Sequence, residues 1–481
     1  IHGVVEDKYA HRESGKTRIV PSLVHGEIYP VLTEPNPLRP GDPRQPPGSG
    51  PLRDGCMKHG EGQTECFDTA FLQQVSEDNR RVLLNNVYNP VEDMRMLTEQ
   101  EAICGSNAIA HCESLNWNSS EGFPLSSERD VKYNNKRYLF DMDLIADGYV
   151  LKGIHTKLKA LLLQRQSDRD NSVYRPEIYI DCLKDYRLTP EKCAIPGKTR
   201  IFSIAPVAVT IDIRRYMGLF LSGYKTGRIQ GQHGIGINAD SYEWSKLAGY
   251  LLEVGNNIVT GDYANFGPSL SSQIVKSCID DILYWHKING ASDWHRYNLD
   301  HILHNDILNP WHLCSNLVYQ TINGISSGSP ITAELNSEVN KKYIKLAFLE
   351  LVQHFGYKYT LQDFNEKVRL VTYGDDFIMS VHNEFISWFN CETIAKILKR
   401  FAITLTDAAK GNEIVPYSTL EKSTFLKRSF LKHPKRTGVW LAPIEEKSIT
   451  ECINWCHKQA NMEEATKEVL RASCELAFGR G

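Results

Sequence analysis

No stretch of this 481-residue chain stays apolar for the roughly 20 residues that a membrane-crossing helix needs, and its first residues lack the apolar core of a secretion signal. Both absences point to a soluble, intracellular type of chain. An excess of one charge is lacking too: 55 Lys plus Arg face 58 Asp plus Glu, for a net charge of −3. A polyanionic partner would therefore be held by local basic clusters, not by an overall field. The 12 cysteines are scattered. The nearest pair, Cys452 and Cys456, is one helical turn apart with no second pair to complete a zinc site, so the cysteines read as reduced thiols. Gly234 to Asn238, GIGIN, has neither the full dinucleotide fingerprint nor a Walker lysine and reads as a turn. No internal repeat is present. The chain opens on Ile1, not Met, as expected of a piece released from a longer precursor or of a trimmed chain.

What is there is enough length for two to four subdomains, with 41% hydrophobic residues, ordinary for a globular enzyme. The stretch that stands out is Lys367 to His382, KVRLVTYGDDFIMSVH. Val, Leu, Ile and Phe on both sides favour buried strands, and Gly374 permits the sharp reversal of a hairpin. Asp375 and Asp376 then sit at its tip. A carboxylate pair on a rigid hairpin suits Mg²⁺ and phosphoryl or nucleotidyl transfer, although Asp-Asp after Gly also makes an ordinary solvated turn. Asn256 to Asp262 reads as a short strand ending in a carboxylate, followed by an amphipathic helix over about 268–287. Asp262 is placed either to share a metal with another strand-borne carboxylate or to cap that helix.

Between Asp181 and Tyr216, Lys184, Arg187, Lys192, Lys198 and Arg200 precede an apolar, β-rich run, with a turn at Pro196-Gly197. Such a hairpin either lines a channel for phosphates or is a solvated charged face. Gly324 to Asn340, GISSGSPITAELNSEVN, is a small-residue loop entering a helix that runs to about residue 354. Ser329 would cap that helix and Pro330 would open it. Thr332 and Asn336 are four apart and, with Ser327, form a polar stripe suited to sugar hydroxyls. A helix start of this kind needs no ligand either.

The remaining expectations concern scaffold. The proline-rich passage Glu34 to Gly55 excludes helix and interior strand. Helices are expected over 69–86 and over 98–112, the second with the capping pattern Thr98-Glu99-Gln100-Glu101. Residues 118–125 form a polar turn. The histidines between 291 and 312 match no metal motif and are expected at the surface. A helix is expected over 384–401, a strand over 423–431 with Lys427 and Arg428 at its centre, and helix over 445–478.

The order of these signals is informative: basic hairpin, strand-borne Asp262, Ser327-Gly328…Thr332…Asn336, Tyr373-Gly374-Asp375-Asp376, a helix with Lys410 trailing it, then FLKR from Phe425. From about Lys16 to Phe478 the chain resembles the RNA-dependent RNA polymerases of picorna-like positive-strand RNA viruses. Within them it is most similar to insect iflaviruses, through DYANFGP from Asp262 and FLKRSFLKHP from Phe425. The resemblance implies an α+β, right-hand polymerase fold: fingers over 1–213 with residues 16–55 reaching toward the thumb, palm over 214–290 and 323–433 built on an antiparallel sheet, a fingers insertion over 291–322, and a short helical thumb over 434–481. It implies that Asp262 and Asp375, assisted by Asp376, hold two Mg²⁺ ions, with Mn²⁺ as the alternative, for RNA synthesis from NTPs. By similarity Lys184, Lys198 and Arg200 line the nucleotide entry path together with the Ser327, Thr332 and Asn336 surface. Lys410 is similar to the lysine that protonates leaving pyrophosphate, Lys427 meets the primer end, and Ser120, Gly122 and Pro124 belong to the template entrance. Template and product RNA, a peptide primer and other viral replication proteins are the implied partners. The implied setting is the host cytoplasm, at membranes reached through those partners without direct insertion. A reverse transcriptase and a catalytically silent RNA-binding scaffold are the other readings.

Two departures stand out. Many relatives carry a second aspartate five positions after the first, where this chain has Gly267, so sugar selection is expected to fall to Asn336 with Ser327 and Thr332. Only about fifty residues follow FLKR, so the thumb is either unusually small or cut short.

Overall fold

Apolar side chains on Val368–Tyr373 and Asp376–Val381 form the expected hairpin, in register from Val368 opposite Val381 to Tyr373 opposite Asp376. In the computed structural model, which describes residues 1–60, 65–406 and 414–478, this hairpin pairs antiparallel with Ile258–Tyr263. Leu405–Thr406 adds the fourth strand beyond it. The sheet lies against the long helix Thr332–Phe355, buried along most of its length, with the helices Ser272–Ile288 and Thr69–Asn86 packed beside it. Phe348 on the long helix meets the rings of Phe364, Phe385, Trp388 and Phe389 at 5.2 to 5.6 Å.

The same helix carries three fully buried lysines. Lys342 pairs with Asp281 at 2.7 Å and donates to the hydroxyls of Ser76 and Ser277, while Lys345 pairs with Asp78 at 2.8 Å and Lys341 with Glu338. Buried ammonium groups persist only with such partners. This ionic layer fixes the long helix against Thr69–Asn86 and Ser272–Ile288, and with it the floor of the sheet.

A second sheet has the order Gly3–Val4, Leu317–Gln320, Trp311–Cys314, Ile178–Leu183, Ile201–Ile204. Its pairs are antiparallel except for Trp311–Cys314 beside Ile178–Leu183. Near the start of the chain, Ile19–Pro21 pairs with Trp455–His457.

The structure revises several local expectations. The capping box at Thr98 forms, but its helix ends at Cys104, because Gly105 turns into the left-handed region (φ +81°) against the backbone of Cys112. The proline-rich passage holds a helix, Pro51–Met57, with Pro51 in the first turn where no amide is needed. It also holds a two-residue strand, Glu34–Pro35. The β-rich run after Arg200 is a strand only to Ile204, and from Val207 its apolar positions follow a helical period to Thr226. The long helix begins at Thr332 after Ile331, so Ser329 does not cap it. His295 and His312 are buried, not at the surface. His312 bonds Asp181 at 3.0 Å and His295 the Tyr216 carbonyl at 3.1 Å. The expected helix over 384–401 breaks into Asn383–Ile386 and Cys391–Lys399, restarted by an Asn390 capping box. The C-terminal segment is two helices, Glu446–Cys452 and Met462–Phe478, separated by the strand Trp455–His457. None of the 12 cysteines forms a disulfide, and among the described residues no helix is long and apolar enough to cross a membrane.

Candidate active site

Strand geometry brings the acidic residues together. Phe377 lies opposite Gly261, and the same register carried one step further sets Asp376 across from Asp262. Asp375 occupies the hairpin turn, where Gly374 takes the left-handed conformation (φ +61°) that a side chain would resist. All three aspartates line a cavity of 890 Å³, whose walls also include Arg200, Arg187 and Lys427. Asp375 reaches solvent at the turn tip, yet the cavity walls strip enough of its hydration to push its carboxyl above the ordinary carboxylate range, and the charge of Asp262 adds to this.

The acidic turn is held from behind by the long helix. Asn340 Nδ2 donates to the carbonyls of Gly374, Asp375 and Asp376 at 3.0, 3.2 and 3.3 Å. Asn340 Oδ1 in turn accepts from the Tyr263 hydroxyl at 3.0 Å. The Gly374 amide donates to Ser337 Oγ at 2.8 Å. Asn340 and Ser337 thus lock the turn to the strand that bears Asp262. Neither was singled out from the sequence, where they read as ordinary helix positions. Their signal was the i, i+4 step from Asn336 to Asn340 and the residue between them. Loosening such support costs roughly 10- to 100-fold in activity, so Asn340→Ala is expected to lower the rate of nucleotide incorporation by that factor while far-UV circular dichroism stays unchanged.

The Ser327-Gly328 loop has a packing reason for its glycine: a Cβ at Gly328 would stand 1.8 Å from the Ser203 carbonyl oxygen. Ser327 Oγ donates to the Ile201 carbonyl at 3.1 Å, and Thr332 Oγ1 donates within the loop, to Ser326 or Ser329 at 2.9 and 2.8 Å. Of the three expected sugar-facing groups, Asn336 is the one with a buried polar atom, Oδ1, that has no partner among the described residues. Gly267 has no atom within 4 Å of where a Cβ would stand.

The basic residues divide. Arg200 lines the cavity, whereas Lys184 and Lys198 are exposed on the same hairpin outside its lining. Arg187 bonds the Glu451 carbonyl at 2.6 Å and its carboxylate at 3.4 Å, tying the hairpin to the C-terminal segment. Lys427 does not sit mid-strand as expected. Leu426 and Lys427 take left-handed φ of 53° and 59° between the short strands Thr424–Phe425 and Arg428–Ser429, so Lys427 caps a tight hairpin facing the cavity. Ser120, Gly122 and Pro124 lie apart, on a turn packed against Ala205-Pro206, where Ser120 Oγ accepts from the Gly122 amide at 3.2 Å. Lys410 lies outside the described residues.

Carboxylates on two neighbouring strands and on the turn of their hairpin, that of Asp375 with its proton affinity raised by its surroundings, fit hard divalent cations. Among the described residues the three aspartates do not gather their oxygens within 4.8 Å of one another. That openness suits ions held by one or two carboxylates plus water and substrate phosphates, not by an all-protein cage.

Comparison with known proteins agrees with this geometry. The chain is 40% identical over its whole length to part of the genome polyprotein of Deformed wing virus, an iflavirus. It is 30% identical over 97% of its length to part of the replicase polyprotein of Acute bee paralysis virus (strain Rothamsted). It spans only 16% and 24% of those two relatives. The structure of a Sicinivirus 3Dpol RNA-dependent RNA polymerase superposes with a TM-score of 0.78 at 20% identity, covering 98% of this chain and 89% of that one, which shows the right-hand polymerase fold. The family model for viral RNA-dependent RNA polymerases matches residues 73–481, and the chain belongs to that family.

Proposed function

We propose that the protein copies an RNA template into RNA from NTPs by nucleotidyl transfer at Asp262, Asp375 and Asp376, as part of positive-strand RNA virus replication. The observation that carries this reading is the meeting of Asp262 with Asp376 on the adjacent strand and Asp375 in its hairpin turn, in a cavity that Arg200 and Lys427 also line. In this reading residues 214–290 and 323–433 are palm, 1–213 and 291–322 fingers, and 434–481 thumb. Divalent cations bound by the aspartates, Mg²⁺ first and Mn²⁺ as the alternative, supply charge neutralisation for the attacking 3′-hydroxyl and the leaving pyrophosphate. Phosphoryl transfer asks for positioning and electrostatic stabilisation more than for a protein nucleophile. Arg200, with Lys184 and Lys198 further out, draws the triphosphate inward, Lys427 contacts the primer strand, and Lys410 acts as general acid toward pyrophosphate. Ser120, Gly122 and Pro124 guide the template. A peptide primer and viral replication proteins at cytoplasmic membranes complete the setting. The test is UMP incorporation on poly(A) primed with oligo(U): template- and primer-dependent product is expected, and preference for dTTP over UTP would instead indicate a reverse transcriptase.

Sugar selection is assigned to Asn336. Ser327 and Thr332 are anchored by their hydroxyl protons to backbone carbonyls and shape the loop, and the unpartnered buried Oδ1 of Asn336 would accept from a 2′-hydroxyl. Asn336→Ala is expected to reduce the preference for UTP over dUTP by roughly tenfold, about the 1.4 kcal/mol of one hydrogen bond. An unchanged ratio rejects the assignment. Because the space beside Gly267 is open, Gly267→Asp is expected to fold normally and to sharpen the same ratio.

A further inference from the structure

We infer that His11, Glu13 and Cys182 form a binding site for one zinc-class transition-metal ion, separate from the aspartate site. His11 Nε2 lies 3.3 Å from Cys182 Sγ and 3.8 Å from Glu13 Oε1. All three potential ligand atoms fall within 4.8 Å of one another, the only such group among the described residues. In tetrahedral zinc coordination the nitrogen–sulfur and nitrogen–oxygen edges are about 3.6 and 3.4 Å, so small side-chain shifts close the site.

The ligands are already oriented. His11 and Glu13 are two residues apart in a segment outside the helices and strands, and both side chains turn toward Cys182. The His11 amide donates to the Ser315 carbonyl at 2.8 Å, and Glu13 Oε1 accepts from the Leu183 amide at 2.7 Å. Cys182 is buried in the strand Ile178–Leu183, opposite Phe202. A cavity of 450 Å³, walled in part by His11, Glu13 and Cys314, gives an entry path and room for a water as fourth ligand. One nitrogen, one sulfur and one carboxylate oxygen select a borderline-soft ion over Mg²⁺ or Ca²⁺. Binding displaces the Cys182 thiol proton, which leaves to solvent as the sulfur–metal bond forms.

Such an ion would staple the first segment of the chain to the strand that leads into the cavity. Just beyond the ligands, Thr17 and the Arg18 amide donate to Asp185 at 2.8 and 2.7 Å, and Ile19–Pro21 then pairs with Trp455–His457. The site uses none of the residues assigned to RNA synthesis, and its occupancy is read without measuring that activity.

The test takes the full chain, strips it with a chelator, titrates it with Zn²⁺ alone and measures retained metal after gel filtration. Co²⁺ in place of Zn²⁺ reports a cysteine ligand through its near-ultraviolet thiolate charge-transfer absorption. Stoichiometric zinc and that absorption are expected for the wild-type chain, and both are expected to be lost in Cys182→Ser and in His11→Ala. Glu13→Gln keeps an oxygen to accept from Leu183 and so preserves the local fold, and it should still reduce retained zinc. No retained zinc in the wild-type chain, or equal retention in all three variants, overturns the assignment.

Discussion

Asp375→Asn is expected to lower template-directed incorporation by at least roughly a thousandfold, the equivalent of about 4 kcal/mol of lost transition-state stabilisation, while raising the melting temperature of the cation-free protein at neutral pH. The two effects share one cause. The Asp375 carboxyl is pushed above the ordinary range by lost hydration and by Asp262. Its ionised form therefore costs folding energy. That cost is absent below the ordinary carboxylate pKa, grows as pH rises through the interval up to the raised folded value, and is complete above it. Asparagine removes the cost along with the charge. A bound divalent cation relieves the same cost without removing the charge, so Mg²⁺ should raise the melting temperature of the wild-type chain more than that of Asp375→Asn. Primer extension and thermal melting with and without Mg²⁺ check both halves. Full activity in Asp375→Asn would remove the aspartates from the mechanism.

The second large effect is expected far from the cavity. Lys342→Met should cost about 3–5 kcal/mol of stability, because it leaves a buried carboxylate without its main counter-charge. Burial already pushes the Asp281 carboxyl upward, and Lys342 opposes that push. Replacing both partners, Lys342→Met with Asp281→Leu, should recover part of the loss. It should not recover all of it, because Asp281 also accepts from Arg80 and Asn79. Removing the exposed pair Lys396–Glu392, one helical turn apart, should by contrast change little. Denaturant unfolding of the four proteins checks the ranking, and equal losses for the buried and exposed pairs would show that the ionic layer contributes no more than a surface contact.

The sequence was most legible where one local rule sufficed. Alternating apolar residues around Gly374 specify a hairpin whatever surrounds it, and Asp262 follows a β-branched run that reads as a strand in any context. Thr69–Asn86 was legible for the same reason. Positions where tertiary contacts override local preference were not. Lys342 and Lys345 carry no sign of burial in the sequence, because their partners Asp281 and Asp78 come from two other helices. His312 read as a surface histidine until Asp181, 131 residues away, supplied its partner. Lys427 was placed in a strand because two left-handed residues in succession, neither of them glycine, have no compositional mark. Asn340 shows in the sequence only as the residue four after Asn336, since three of its bonds go to backbone carbonyls that any residue offers. The metal ligands were missed because Cys182 is 171 residues from His11, and spacing rules for zinc sites look for ligands in close pairs.

The pairing of Ile19–Pro21 with Trp455–His457 sets a timetable for the chain's own synthesis. Cys456 and Val20 are 436 positions apart, a separation that takes roughly 20 to 90 s to translate at about 5–20 residues per second. During that interval the emerging segment has no strand to join, and its exposed edge can pair with other chains. Trp455–His457 supplies the missing strand at one wall of the cavity, so a chain cut short before Trp455 would keep the acidic hairpin and lack that wall.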